Sequence, residues 1–200
     1  MSVNRSLFDL GISHAIKIER LKAGETRKII KFLNSEVYPD VLDRISRRSS
    51  IPGFGTDRLK ALAASMNSII RSGVTDAKGI LKEDLDKLLI SEANFQVSSI
   101  TETMPIQVRM SIPNVRMLQA SFKKPFEGHT LGEWWNRLEK GSALELKRQL
   151  NIGVTSGDTI PEISKRVKGV LRSSSVAATR ITRTAVTHIS AQAREITYKE

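Results

Sequence analysis

Apolar residues recur at three- and four-residue steps along most of this chain, the spacing that puts side chains on one face of a helix. From Ser6 to about Ser46 the stripe runs Leu10, His14, Ile18, Leu21, Ile29, Phe32, Leu33, Val37, Val41 and Ile45, with Lys17, Arg20, Lys22, Arg27, Lys28 and Lys31 on the other faces. One long helix, or two nearly collinear ones, is predicted there, with Gly24 and Pro39 as bend points. After the breaker-rich RRSSIPGFGTD, Thr56 or Asp57 caps a helix carrying Leu59, Leu62, Ala63, Met66, Ile69 and Ile70. SGVTD is predicted to end it. Thr75 or Asp76 then opens another helix, with Ile80, Leu81, Leu85, Leu88, Leu89 and Phe95 inward, towards Thr103. Together these predict an antiparallel helical hairpin.

The pattern weakens between Pro105 and Pro125, where PIQVRM alternates like one short β element near 105–110 and SIPNVRMLQASF suits a short helix entered at Pro113. It resumes at Thr130 with Leu131, Trp134, Trp135, Leu138, Leu144, Leu146 and Leu150, on a helix bent at Gly141. NIGVTSGD is predicted as a turn, Thr159 as a cap, Pro161 as a first-turn residue of a short helix, and LRSSS as another break. A last helix over Val176–Tyr198 then carries Ala177, Ile181, Ala185, His188, Ile189 and Ala193 on one face, with Ile196 following. The expected fold is mainly α: an elongated multi-helix protein with a long N-terminal helix, a helical hairpin and a small C-terminal helical domain. Its expected divisions are residues 1–104, a connector over 105–124, and 125–200.

Composition strengthens the helical reading, since 40% of the 200 residues are hydrophobic and only 5% aromatic, which suits Leu, Ile, Val and Ala packing. Charge adds a direction. The formal net charge is +11, and residues 162–200 hold eight Lys and Arg against three Glu. Such an excess favours anionic partners, nucleic acid among them. The chain has no cysteine, so no disulfide, thiol nucleophile or Cys-based zinc site is available. Its three histidines, His14, His129 and His188, fall in no metal-binding spacing. No leader-like or membrane-spanning run is read, so a cytoplasm-like compartment is expected.

Catalysis is disfavoured by inventory. His188, Arg194 and Tyr198 hint at a recombinase set, but the His-x-x-Arg step needs Arg at 191, which is alanine, and His188 has no acidic residue at three or four positions. No catalytic, cofactor or metal residue is therefore expected. An alternative is a helix-turn-helix DNA-binding module over residues 158–190, with DTIPEISKRVKG as first helix and VAATRITRTAV presenting Arg180 and Arg183 to DNA. Its joint, VLRSSS, is longer than the tight turn such a module needs. Arg172, Arg180, Arg183 and Arg194 are the candidate contacts to nucleic acid or a partner.

Three segments in order, PFEGHTLGEWWNRLE, LNIGVTSGDTIPEISKRVKG and AATRITRTAVTHISAQAREITYKE, resemble the head morphogenesis or minor head proteins of tailed bacteriophages, the Mu F-like family. The resemblance covers residues 125–200 and rests on Phe126, Gly128, Trp134, Trp135, Gly153, Gly157, Arg183 and Thr184. Physically, Gly128 and Gly132 suit a sharp approach to a helix, and Gly153 and Gly157 a positive-φ turn. The Trp134 and Trp135 rings suit a core, worth about 3 kcal/mol or more each when enclosed. Arg183 and Thr184 suit holding the last helix against loop carbonyls or a carboxylate. The resemblance implies a structural virion protein at the portal vertex or capsid interior, made in the host cytoplasm and acting in head assembly, DNA packaging or genome ejection. Portal or capsid proteins, further copies of the chain and packaged double-stranded DNA, touched without sequence preference, are the implied partners; a membrane is not.

Overall fold

The computed structural model describes residues 3–48, 56–104 and 110–199. Its elements are helices α1 (Val3–Phe32), α2 (Tyr38–Arg48), α3 (Thr56–Thr103), α4 (Val115–Gln119), α5 (Leu131–Thr155) and α6 (Ile160–Thr197). No strand occurs among the described residues; Phe126 and His129 form one isolated antiparallel bridge. The class is mainly α with a long N-terminal helix, as the periodicity predicts. Residues 105–109, which hold nearly all of the expected β element, lie outside the described residues.

α1 passes through Gly24 without a break. The backbone changes instead at Leu33–Val37, a π-helical turn closed by the Tyr38 N–H donating to the Leu33 carbonyl. Pro39 explains the location: its ring crowds the carbonyl four residues back and it has no N–H to donate, so the turn before it widens.

Two expected breaks, at SGVTD and LRSSS, do not occur, and the turn expected over NIGVTSGD is displaced. α3 is one 48-residue helix through SGVTD. A β-carbon on Gly73 would lie 2.4 Å from Val37 Cγ2, so this glycine admits a neighbouring helix and does not end its own. α5 is continuous through Gly141 and on through Asn151–Thr155, leaving the turn to residues 156–159. Gly157 takes φ +72° there, whereas Gly153 is helical and faces Ile163, whose Cγ1 would sit 2.8 Å from an added β-carbon. α6 continues through LRSSS. The Ser173 and Ser174 hydroxyls donate to carbonyls one turn back, while Ser174 meets Ser142 at 2.7 Å and Ser175 donates to the Tyr38 hydroxyl at 3.1 Å. With no turn between residues 169 and 176, the helix-turn-helix alternative over 158–190 is overturned.

Short caps set the other ends. Asn114 accepts from the Arg116 N–H to start α4, with Pro113 one residue outside. Thr159 precedes α6, and Glu162 reaches back to accept from the Thr159 N–H (2.6 Å) and hydroxyl (2.7 Å), one half of a capping box.

The contacts divide the chain into two compact units. One comprises residues 28–80 and 132–181, the other 1–27, 81–131 and 182–200. Both draw on residues before and after the 105–124 connector. In the first, α5 and α6 form a helical hairpin: the pairs Trp134–Arg180, Ser142–Ser174 and Gly153–Ile163 run in opposite order along the two helices. Trp135, fully buried, anchors this core with Leu146, Val167 and Ala178. In the second, Leu81, Leu85, Leu89 and Ala93 of α3 and Ala185, Ile189 and Ala193 of α6 are buried, so small α6 residues line the core. The buried edge of α6 runs through Ala178, not Ala177 as the pattern suggested.

Candidate functional site

The most concentrated polar chemistry among the described residues lies inside the second unit, around Glu92. This residue occupies a core position of α3, four after Leu88 and seven after Leu85, and is completely buried. An isolated carboxylate in such a place carries a large desolvation cost, so it must be met by donors. Glu92 Oε2 accepts from His14 Nε2 of α1 at 2.8 Å and from the Ser190 hydroxyl of α6 at 3.1 Å. Glu92 Oε1 accepts from Gln96 Nε2 at 2.7 Å and, at 3.5 Å, from the Arg194 guanidinium.

Two details fix the arrangement further. Because a carboxylate only accepts, the Gln96 amide nitrogen faces Glu92 and its oxygen faces outward, where it accepts from the Tyr198 hydroxyl at 2.6 Å. The His14 ring lies flat on Phe95, centroids 3.6 Å apart and planes within 5°. His14 thus holds the apolar register of α1 through its ring face and the carboxylate through its edge. The geometry joins α1, α3 and α6 by one carboxylate.

Beside this cluster is a cavity of about 270 Å³, bounded by α1, α3 and α6. Leu10, Gly11, Phe95, Ile100, Arg194 and Tyr198 are among its lining residues.

The residues singled out from sequence divide into packing and surface groups. Phe126 is buried with its ring 5.2 Å from that of His188, and Gly128 takes φ +84° in the adjoining turn, next to Glu127 at φ +48°. Gly132, expected in that approach, lies within α5. Burial pushes the His188 pKa below its ordinary value, a hydrogen bond to the Lys124 backbone opposing and the Lys124 charge adding to the shift. Trp135 is enclosed but Trp134 is half-buried, its ring 5.7 Å from the Arg137 guanidinium and 5.8 Å from that of Arg180. The two indoles therefore do not share one core role. Thr184 is half-buried; Arg172, Arg180 and Arg183 are exposed on α6. Among the described residues Arg183 makes no ion pair with a carboxylate. Arg194, read as an outward contact, reaches inward to Glu92.

Sequence reasoning passed over Glu92. The signal was present: in the run Leu81, Leu85, Leu88, Glu92, Gln96 the carboxylate takes an inward position, and its counterpart His14 interrupts an apolar stripe at an equivalent one. Among the described residues, no group of three or more His, Asp or Glu is arranged to hold a metal ion. No protein-family model matches the chain, and neither the curated proteins nor the solved structures yield a match.

Proposed function

We propose that this chain is a structural protein of the tailed-phage head, of the minor head or head morphogenesis type, working through its packed helices and not through turnover of a substrate. The observation that carries the reading is that residues bearing the resemblance do architectural work. Trp135 and Phe126 are buried, Gly157 and Gly128 turn the backbone at positive φ, and Gly153 admits Ile163. Glu92 adds support, because its oxygens are occupied by His14, Ser190, Gln96 and Arg194, which makes the carboxylate a tie between helices. No helix among the described residues is long and apolar enough to cross a membrane.

Portal or capsid proteins are the proposed partners, in the virion, with several copies of the chain present. Arg172, Arg180 and Arg183 are exposed and suited to phosphate contacts, which are strongly salt-dependent and carry little sequence preference. The test is to delete the gene from its phage and to examine purified particles by mass spectrometry. The reading expects the protein in wild-type particles and defective heads or non-infectious particles without it. Absence from particles together with normal assembly would reject it.

A further inference from the structure

We propose that the cavity beside Glu92 binds a small monocarboxylate with an apolar body, its carboxylate on Arg194 and its body against Leu10, Phe95 and Ile100. This goes beyond the virion role and does not depend on it.

The volume, about 270 Å³, suits a molecule on the order of ten non-hydrogen atoms. Gly11 supplies a particular opening. A β-carbon there would meet nothing within 4 Å, so this mid-helix glycine, which weakens α1 relative to alanine, leaves space unfilled on the cavity side.

The polar side of the wall selects charge. Arg194 is a cation of the lining, 48% exposed, and no acidic residue is among the lining groups. Its contact with Glu92 is loose at 3.5 Å, whereas His14, Gln96 and Ser190 hold the same carboxylate at 2.8, 2.7 and 3.1 Å. Glu92 is thus served without Arg194, and the guanidinium has further N–H donors for a second carboxylate. A neutral ligand gains from that group only a hydrogen bond weaker than the charge-assisted one a carboxylate makes, and a dianion brings a further negative charge beside Glu92. Apolar walls with one convergent cationic group are the usual composition of small-ligand sites.

The experiment titrates the full-length, isotope-labelled protein with 3-phenylpropionate and with its uncharged amide, following the Phe95 and Ile100 amide resonances by NMR. The expected result is saturable binding of the acid, about ten-fold tighter than the amide. Gly11→Leu should abolish binding while the helix strengthens, since leucine is the better helix former and fills the space. Arg194→Gln should bring the acid down to the level of the amide, and Arg194→Lys should restore part of the difference. Equal binding of acid and amide by the unaltered protein, unchanged binding by folded Gly11→Leu, or no response to the acid at millimolar concentration would each overturn the proposal.

Discussion

His14 Nε2 and Glu92 Oε2, 78 positions apart in the chain, meet at 2.8 Å with both residues buried. Removing one member of such a pair leaves the other in a medium that solvates it poorly, at a cost of about 3–5 kcal/mol. His14→Leu should therefore lower unfolding free energy by roughly 3 kcal/mol, and Glu92→Leu likewise removes one member. Replacing both residues by leucine should cost less than the sum of the single changes. Chemical denaturation of the four proteins of this cycle measures the coupling, and strict additivity would show that the pair is not a tie.

Two glycines of α3 should respond in opposite directions. Gly73→Ala forces a methyl against Val37 and should destabilise the protein, with Val37→Ala recovering part of the loss. Gly79→Ala meets nothing within 4 Å and should stabilise by up to about 1 kcal/mol through helix propensity alone. Melting temperatures of the three variants decide the matter; a stabilising Gly73→Ala would contradict the close packing described.

The indoles should also separate. Trp135→Ala empties a fully enclosed site and should cost about 3–5 kcal/mol, whereas Trp134→Ala, at a half-buried ring, should cost clearly less. Thermal melts of both variants test this, and equal losses would mean that Trp134 packs as tightly as its neighbour.

His188 predicts a pH effect with a definite sign. Its folded-state pKa lies below the ordinary value of 6.5 because burial disfavours the cation. Unfolded chains therefore take up the proton first as pH falls, and stability declines from about pH 6.5 downward towards the folded pKa. Denaturant midpoints between pH 8 and 5 should fall more steeply for the unaltered protein than for His188→Gln. Parallel curves would remove His188 from the pH response.

The helical class was legible because three- and four-residue spacing dominates the chain and few aromatic residues compete with it. Helix ends were less so. Gly73, Ser174 and Ser175 read as breakers by local propensity, yet each sits inside a helix because something packs on it: Val37, Ser142 and Tyr38 respectively. Spacing along one segment contains no information on which distant segment approaches it. The site was half legible for a similar reason. His14 was placed on the inward stripe, but Glu92 is noticeable only when its register is trusted over the usual preference of glutamate for water.

The π turn at Leu33–Val37 also governs which way the residues beyond it point. Ile29, Leu33, Val37, Val41 and Ile45 follow one another at unvarying intervals of four, and all are buried. In an unbroken α-helix each such interval overshoots a full revolution by about 40°, so five residues would spiral away from any flat neighbour. A single wide coil, needing more than four residues per revolution, rotates the row backward midway and cancels much of the drift. Trimming one amino acid from that coil would restore ordinary winding yet leave Val41 and Ile45 facing as they do now, because one interval of three does the same backward correction as the wide coil.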